Sequence, residues 1–276
     1  MTDRAFTCLL PVWAGDDARQ FLRAVFSLVR NTAPPAHIIL CEDGELPPPL
    51  EAAAAAVARK FGAVRARNPG PRGLHANLNH GAALVATPWI CRADADDINL
   101  PHRLETQAAF LSAHPEVSAL GGDIIEFWPD GATQTKAMPT GHDDIVRYAR
   151  YRNPINHMTA VFSTEVFTAC GGYPAIPFKE DYALWLTMIA RGYRLANVGR
   201  PLVRARLGSD FYRRRAGLHN LSSEWRLFAI KRATPGIGLL PAAAALVARA
   251  GALAAGGGAR AVYRHALGRT PKAAAS

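Results

Sequence analysis

Cysteine is scarce in this chain of 276 residues, and its pattern excludes two common kinds of small scaffold. The sequence has four cysteines, Cys8, Cys41, Cys91 and Cys170, and no two of them form a CxxC pair. A zinc knuckle or a disulfide framework is therefore not expected. The first three of these cysteines lie in apolar, strand-like runs, so we expect reduced thiols inside a core and a reducing, cytoplasmic compartment.

Several patterns of familiar catalytic sites are also missing. We find no GxxxxGK[ST] phosphate loop, no GxGxxG after a strand, no GxSxG elbow and no histidine pair with zinc-ligand spacing. The stretch MTDRAFTCLLPVW lacks the long apolar segment and the cleavage site of a signal peptide, so none is expected. The chemistry must therefore come from another constellation of residues.

Acidic residues are outnumbered by basic ones, 22 Asp and Glu against 32 Lys and Arg, which gives a formal net charge of +10. This excess implies an acidic partner, such as nucleic acid, anionic lipid or a phosphorylated small molecule. From about Pro235 onward every charged side chain is Arg or Lys, and Pro241 and Arg249 interrupt the apolar run. That composition favours a basic segment lying on an anionic membrane over a spanning helix, and the alternative is a helix packed on the domain.

With 49% hydrophobic residues, the chain can build a sizeable core. In its first half, apolar runs that predict strands alternate with segments of helical periodicity. The predicted strands cover 6–13, 37–44, 62–68 and 88–94, and the predicted helices cover 16–32, 50–62 and 73–86. This alternation predicts an α/β fold with a parallel, doubly wound sheet, in which ligands bind beyond the carboxyl ends of the strands. We expect one such domain over 1–230 and a basic, apolar helical extension over 231–276.

The stretch ICRADADDINLP places Asp94, Asp96 and Asp97 directly after a predicted strand. Like charges so close together repel, at about 4 kcal/mol for a pair about 4 Å apart at an effective dielectric of about 20. Carboxylates at such an edge suit Mg²⁺ or Mn²⁺ held jointly with substrate phosphates, and the alternative is a solvated turn. Glu42 and Asp43 end another strand at the same edge, where a carboxylate can accept hydrogen bonds from a base or a ribose. A plain β-turn is the alternative there.

Three further features indicate chemistry less specifically. Glu180 and Asp181 begin a predicted helix, where an ionised carboxylate can act as a general base, although a helix cap is the commoner explanation. His157 is either a structural histidine or a contact for a phosphate or an acceptor. The run Arg213–Arg215 is either a solvated face or a pyrophosphate contact.

Taken together, these segments resemble the family 2 glycosyltransferases, whose fold is named GT-A. LLPVWAGDDARQFLRAVFSL is similar to that family's opening strand and helix, CEDG to its nucleotide-binding turn, and KEDYALWLTMIARGY to its ED motif. GLHANLNHGAALVATPWICRADADDINLPHRLETQ is similar to the stretch that leads through its DxD motif. RNPINHMTAVF, GGYPAIPFKEDYALW and FYRRRAGL resemble the amylovoran-biosynthesis-like branch, which builds exopolysaccharides, capsules and O-antigens. The resemblance covers roughly residues 5–230.

The resemblance implies a GT-A fold with a Rossmann-like, mostly parallel sheet flanked by helices. It implies inverting transfer of a sugar from a nucleotide-sugar, expected to be UDP-linked, to a hydroxyl of a lipid-linked saccharide at the inner face of the membrane. Mn²⁺ or Mg²⁺ would be the cofactor, held by Asp96. Asp181 would be the base, and Glu180 would position the base or the acceptor. The implied donor-binding residues are Pro11, Glu42, Asp43, Gly73, Asn79, Asp94 and Asp96. His157, Arg213 and Arg214 would contact the acceptor or a phosphate, and Asp97 would brace the loop.

Three rival functions explain parts of the sequence. A sugar-phosphate nucleotidyltransferase would need a glycine-rich, basic loop after the first strand, which PVWAGDDAR does not supply. A phosphatase with an Asp-x-Asp nucleophile would carry that motif after its first strand, whereas Asp94 lies farther along the chain. A non-catalytic nucleic-acid-binding protein would explain the positive charge. Basic motifs interleaved with aromatic residues are missing, however, so no nucleic-acid partner is expected.

Overall fold

The computed structural model describes residues 5–70, 72–207 and 221–254. In the first half of the chain, strands and helices alternate as the apolar pattern predicts. Their bounds are β1 Phe6–Trp13, α1 Ala18–Val29, β2 His37–Asp43, α2 Pro48–Phe61, β3 Val64–Asn68, α3 Leu74–Ala82 and β4 Trp89–Arg92. These strands join in the order β3-β2-β1-β4, and each neighbouring pair is parallel. The parallel arrangement is therefore confirmed here, and the four carboxyl ends share one edge of the sheet, which we call the carboxyl edge.

The helices of this half begin and end with ordinary capping chemistry. α1 begins after Asp17, whose carboxylate accepts hydrogen bonds from the backbone N–H groups of Arg19 and Gln20 at 3.0 and 2.9 Å. α2 starts with Pro48 and is followed by its C-cap residue Gly62, whose φ of 65° is left-handed. Asp17 is thus the N-cap residue of α1.

The second half of the chain completes the sheet and covers it. Its elements are β5 Ile98–Asn99, α4 Arg103–Ala113, β6 Val117–Phe127, β7 Thr133–Lys136, α5 His142–Tyr148, β8 Val161–Ser163, α6 Thr164–Ala169, α7 Glu180–Ala190, β9 Arg194–Arg206, α8 Leu221–Ala233 and α9 Leu239–Ala254. The strand order is β3-β2-β1-β4-β8-β6-β9-β5, with β7 paired to β6. β8 is antiparallel to β4 and to β6, so the parallel, doubly wound pattern of the first half does not extend to the whole sheet, and the mostly parallel sheet that the family resemblance implies is confirmed.

β8 is antiparallel because of where the chain enters it. The short 3₁₀ turn His157–Thr159 precedes β8, and the backbone N–H of Arg92 donates to the Ala160 carbonyl at 2.9 Å. β8 therefore starts at the carboxyl end of β4 and runs back along it, with Val161 opposite Cys91. The irregular segment before β8 is thereby brought to the carboxyl edge.

Hydrophobic cores lie on both faces of the sheet. On one face, α1, α2 and α4 contribute buried residues such as Leu28, Leu50 and Leu104. On the other face, α3 and α7 contribute Leu78 and Trp185 to a second core. The cysteines of β1, β2 and β4 are buried and free in these cores, as the sequence predicts. The sheet is thus a rigid platform that fixes the positions of the side chains at its carboxyl edge.

The C-terminal helices pack on the second core. Leu227 on α8, Ile237 in the connecting turn and Ala242 on α9 are buried together with Trp185. The beginning of the segment that follows Pro235 thus packs on the domain through Ile237 and Ala242, and its contact with a membrane stays a prediction. The expected boundary between residues 230 and 231 falls inside α8, which continues through it. Among the residues that the structure describes, no helix combines the length and apolarity needed to cross a bilayer.

Candidate active site

The acidic stretch after β4 lies at the carboxyl edge, and its members have different environments. Asp97 is buried and accepts a hydrogen bond from the backbone N–H of Arg206 on β9 at 2.8 Å. Burial, followed by the charges of Asp94 and Asp96, raises the pKa of Asp97 well above its ordinary value. Asp97 therefore ties the loop to β9, which confirms its predicted bracing role. Asp94 and Asp96 are half-buried at the same turn.

Asp94 is held by a buried arginine. The Nη2 of Arg92 donates to its Oδ1 at 2.5 Å, and Nη1 of the same guanidinium donates to the Ala93 carbonyl. The Arg92 side chain is only 1% exposed, and its Nε is buried with no hydrogen-bond partner. The positive charge of Arg92 thus offsets part of the repulsion on the Asp94 carboxylate, and its hydrogen bond fixes the orientation of that carboxylate.

Asp16 is a further acid at this edge. It follows β1, and its Oδ2 accepts a hydrogen bond from the backbone N–H of Trp13 at 3.0 Å. Burial raises the pKa of Asp16 to about 7, the charges of Asp96 and Asp94 raise it too, and the bond from Trp13 opposes the shift. Asp16, Asp94 and Asp96 are therefore electrostatic neighbours that repel one another.

The donor set fits a hard divalent cation that is shared with a substrate. Within the described ranges, no group of three or more His, Cys, Asp and Glu side chains is arranged to hold a metal. Mg²⁺ and Mn²⁺ often take only one or two carboxylates, because phosphate oxygens and water complete the shell. The carboxylate oxygens of Asp94 and Asp96 are hard donors, and a cation there would relieve their repulsion with Asp16. The residues present are thus compatible with the predicted metal, with Asp96 as its ligand.

Two of the predicted donor-binding residues contact each other directly. The Asp43 carboxylate at the end of β2 accepts hydrogen bonds from the backbone N–H groups of Arg72 at 2.8 Å and Gly73 at 3.1 Å. Gly73 precedes α3 with a φ of 85°, a left-handed conformation that glycine adopts without strain. The turn before α3 is thereby closed onto β2. Pro11, on the neighbouring strand β1, is paired with Cys41 and half-buried.

Glu42 does not offer its carboxylate to the carboxyl edge. Its side chain is fully buried and paired with Arg65 and Arg67 on β3, with an Arg67 Nε to Oε2 distance of 2.7 Å. Both arginines also reach Glu51 on α2, at 2.7 and 2.5 Å. These four side chains, which we call the β2–β3 ion network, fasten α2 to the sheet. The predicted contact between Glu42 and the uracil or ribose is therefore corrected to a structural role.

Asn79 has both ends of its amide occupied by the protein. Its Nδ2 donates to the Tyr173 carbonyl at 2.8 Å, and its Oδ1 accepts from the Tyr173 backbone N–H at 2.9 Å. Asn79 therefore joins α3 to the loop that leads to α7, and its predicted role in donor binding stays a prediction.

His157 belongs to a packed aromatic cluster. Its Nε2 lies 2.9 Å from the Tyr173 hydroxyl, and its ring meets the rings of Tyr173 and Trp185 edge-on. Burial, and then the charge of Arg92, lowers the pKa of His157 well below its ordinary value, so the imidazole is neutral near pH 7. Of the two predicted roles, the structural one agrees with this environment, and a cationic contact to a phosphate does not. Arg213 and Arg214 lie outside the described residues.

Glu180 and Asp181 begin α7 and are 6% and 9% exposed. The Oδ1 of Asp181 accepts from the backbone N–H of Tyr182 at 2.7 Å, and its Oδ2 accepts from the Nδ2 of Asn153 at 2.6 Å. Lys179 occupies the N-cap position, so the simple cap is not the role of Asp181. An ionised carboxylate fits the first turn of a helix, because the helix dipole is positive there.

Tyr173 connects the two acidic groups. Burial raises the pKa of its phenol well above the ordinary value; the charge of Arg92 opposes the shift, and the charges of Asp181 and Glu180 add to it. Tyr173 thus lies within electrostatic range of Arg92, which holds Asp94, and of Asp181. The start of α7 and the arginine that holds Asp94 thus both lie near the same buried phenol.

Three residues of this region, Asp16, Arg92 and Asn153, were not predicted as site residues. Arg92 had a signal, since a charge inside the apolar run PWICRAD must find a buried partner. Asp16 also had one, because it follows the first predicted strand just as Asp43 and Asp94 follow theirs. Asn153 precedes Pro154, a pair that indicates a turn but not what the turn contacts.

Known proteins match both the sequence and the fold. The family model described as glycosyl transferase family 2 matches residues 16–171. The amylovoran biosynthesis glycosyltransferase AmsE of Erwinia amylovora is 32% identical over 235 residues, which cover 85% of this chain and 88% of that protein. The UDP-Gal:alpha-D-GlcNAc-diphosphoundecaprenol beta-1,3-galactosyltransferase of Escherichia coli is 29% identical, over 79% of this chain and 80% of its own length.

A solved structure agrees with the architecture. The crystal structure of S. aureus TarS 1–349 in complex with UDP-GlcNAc superposes with a TM-score of 0.66 at 13% identity, covering 84% of this chain and 67% of that one. At this identity the likeness establishes the fold, which is GT-A-like, as the sequence predicts. The family model and AmsE establish the relationship and the enzyme class, because the model matches residues 16–171 and AmsE is 32% identical over 85% of this chain. On these grounds the chain belongs to glycosyltransferase family 2.

Proposed function

We propose that this enzyme transfers a sugar, with inversion, from a UDP-linked donor to a hydroxyl of a lipid-linked saccharide during the synthesis of a cell-surface polysaccharide. The observation that carries the proposal is the Asp181 carboxylate, which is buried at the start of α7 and, like the Arg92 that holds Asp94, lies within electrostatic range of Tyr173. The E. coli relative is named for a UDP-sugar donor and a diphosphoundecaprenol acceptor, and TarS was solved with a UDP-sugar, which supports the choice of both substrates.

In the proposed step, Asp181 takes the proton from the acceptor hydroxyl as that oxygen attacks the anomeric carbon of the donor. The bond from the anomeric carbon to the β-phosphate oxygen breaks, and UDP leaves with the electron pair. The turn held by Asp43 and Gly73 borders the donor, and Asp94 and Asp96 would hold Mn²⁺ or Mg²⁺. Such a cation, when bound, neutralises charge on the departing diphosphate.

The role of Asp181 is tested by Asp181→Asn. Because the amide cannot accept the proton, we expect transfer to be lost while UDP binding with Mn²⁺ is retained. Asp143→Asn is the matched control, since Asp143 is an exposed acid in the first turn of α5. Wild-type transfer rates in the Asp181 variant would refute the assignment.

The metal is tested through nucleotide affinity. Asp96→Ala should weaken UDP binding in the presence of Mn²⁺ and change it little in its absence, because the ligand supplied to the cation is removed. Calorimetric titration of UDP with and without Mn²⁺ measures this. Equal affinity of wild type and variant in Mn²⁺ would count against the metal site. A thermal-shift screen of UDP-, GDP- and dTDP-sugars tests the nucleotide base.

We further propose that the enzyme binds the membrane surface through α8 and α9. Leu240 and Val247, one face of α9, are 82% and 71% exposed, and Trp225 on α8 is 62% exposed. Past Glu224 the sequence contains basic residues and no acidic side chain, which suits an anionic bilayer. α8 packs against α7, whose first turn contains Asp181, and Glu224 on α8 pairs with Lys179, so this surface lies beside the start of α7.

Deletion after Pro235 would remove the buried Ile237 and Ala242 and so disturb the core. A sharper test replaces exposed residues only: Leu240→Asn together with Val247→Asn. We expect wild type to sediment with phosphatidylglycerol vesicles and not with phosphatidylcholine vesicles, and the double variant to lose this binding. Leu84→Asn, at an exposed leucine after α3, is the control and should bind as wild type does. Full binding by the double variant, or none by wild type at low salt, would refute the proposal.

A further inference from the structure

The side chain that orients Asp181 comes from the irregular segment before β8. Asn153 is half-buried, and its Nδ2 donates to Oδ2 of Asp181 at 2.6 Å. Its other amide atom, Oδ1, faces the backbone N–H of Ile155 at 3.4 Å, across Pro154. The amide thus has one end turned toward its own loop and one end on the carboxylate.

This loop is itself held at several points. The Nδ2 of Asn197 on β9 donates to the Pro154 carbonyl at 3.0 Å and to the Pro139 carbonyl at 2.7 Å. Asn156 donates to the Gly122 carbonyl at 2.9 Å and accepts from Lys136 at 2.6 Å. Because β6, β7 and β9 all anchor the segment, Asn153 is presented to Asp181 from a fixed backbone.

We propose that Asn153 is a positioning residue for the reaction: its amide N–H fixes the Asp181 carboxylate and keeps it ionised at neutral pH. This inference rests on the proposed role of Asp181 as the base. A carboxylate that accepts a hydrogen bond is stabilised in its charged form, so removing the donor favours protonation. Since Oδ1 of Asp181 accepts from the Tyr182 N–H, the Asn153 contact also selects the rotation of the carboxylate.

Other charged and titratable groups surround Asp181 and remain in every variant used below. They are Glu180 and Lys179 at the start of α7, Tyr173 in the preceding loop, Arg152 beside Asn153, Arg92 on β4, and Glu224 and Lys231 on α8. Their effects are therefore common to wild type and variants, and differences report on Asn153.

Two substitutions distinguish positioning of Asp181 by the Asn153 side-chain N–H from a role of Asn153 in supporting its own loop. Asn153→Asp keeps an oxygen for the Ile155 N–H but replaces the donor with a second carboxylate, whereas Asn153→Ala removes both. We expect the acid limb of kcat/KM to move to higher pH by about one unit in the Ala variant, from the loss of one hydrogen bond to a charged group. The Asp variant should move further, because two carboxylates then face each other. If Asn153 only supported the loop, the Asp variant would keep wild-type activity. The acid limb of kcat/KM would then stay at the wild-type pH in both variants.

The kinetic probe is transfer from UDP-galactose to GlcNAc-diphosphoundecaprenol, with UDP affinity in Mn²⁺ as the test of an intact donor site. Thr7→Val is the control, since it removes a buried hydrogen bond to Thr87 at the opposite end of β1 and should leave the profile unchanged. In the Asp181→Asn background, neither Asn153 variant should lower the rate further.

A second readout needs no turnover. The ¹³C resonance of the Asp181 carboxyl, identified by its absence in Asp181→Asn, is titrated in wild type and in both Asn153 variants. A higher midpoint in the Ala variant, and a higher one still in the Asp variant, is expected. Unchanged midpoints refute the inference about Asn153. Normal transfer by Asp181→Asn instead refutes the proposed base, so the two failures are distinguishable.

Discussion

Glu42 was predicted to bind the donor, but in the structure it lies at the centre of the β2–β3 ion network. The perturbation that decides between these roles is Glu42→Gln, which keeps the size of the side chain and removes its charge. The wild-type carboxylate is fully buried and accepts from Arg65 and Arg67, while Glu51 accepts from both arginines at the rim. In the variant, the guanidinium groups of Arg65 and Arg67 lose the buried negative charge of Glu42 and keep the more exposed one of Glu51.

The size of the effect follows from burial. Removing one partner of a fully buried ion pair costs about 3–5 kcal/mol of unfolding free energy. The arginine side chains are 23% and 40% exposed and keep Glu51, so solvent and the remaining carboxylate offset part of this loss. We therefore expect about 2–3 kcal/mol for Glu42→Gln. For a protein of this size that lowers Tm by roughly 4–12 °C. Glu51→Gln, at a side chain 38% exposed, should cost about 0–1 kcal/mol.

Two measurements decide the matter: Tm by scanning calorimetry, and UDP affinity in Mn²⁺ below the transition. The structure predicts a large fall in Tm for Glu42→Gln, a small one for Glu51→Gln, and UDP affinity within about twofold of wild type for both. A large loss of UDP affinity in Glu42→Gln with Tm unchanged would refute the structural role. Equal falls in Tm for the two variants would refute the dependence on burial.

Further predictions concern packing and pH. Gly81→Ala should lower the unfolding free energy by about 1–3 kcal/mol, because a Cβ on this α3 residue would overlap the Cys41 Sγ on β2. Adding Cys41→Ala should restore most of that loss in urea denaturation, and additive losses would contradict the proposed clash. Between about pH 6.5 and the depressed folded pKa of His157, the unfolded chain takes up a proton that the folded chain refuses, so stability should fall as pH falls. His157→Gln should reduce the slope of unfolding free energy against pH by up to about 1.4 kcal/mol per pH unit. An unchanged slope would refute the buried neutral imidazole.

The first half of the fold could be predicted because its signals are local. β1 and β2 are apolar runs bounded by turn residues and acids, and their parallel pairing follows from the helices between them. β8 could not be predicted as antiparallel, since it has only three residues and its direction depends on the anchored segment before it. The carboxyl-edge positions of Asp43, Asp94 and Asp96 followed from strand order alone.

Roles that depend on tertiary contacts were harder to predict. Neighbouring residues of a strand point to opposite faces, so Glu42 and Asp43 have different partners, and the register that places Arg67 opposite Glu42 is not visible in the sequence. Asn79 meets Tyr173 across 94 residues, and Asn153 meets Asp181 across 28. Amides that contact a backbone or a carboxylate carry no local motif, which is why these contacts of Asn79 and Asn153 were not predicted.

The packing of the C-terminal helices has a consequence for protein engineering. The region recognised as glycosyltransferase family 2 ends at residue 171, before α7 and its Asp181. Yet Trp185 on α7 shares its core with Leu227, Ile237 and Ala242. A chimera that exchanged only the recognised region would pair one enzyme's first half with another's α7 and leave their common core mismatched. The smallest exchangeable piece of this enzyme therefore runs from β1 through Ala242.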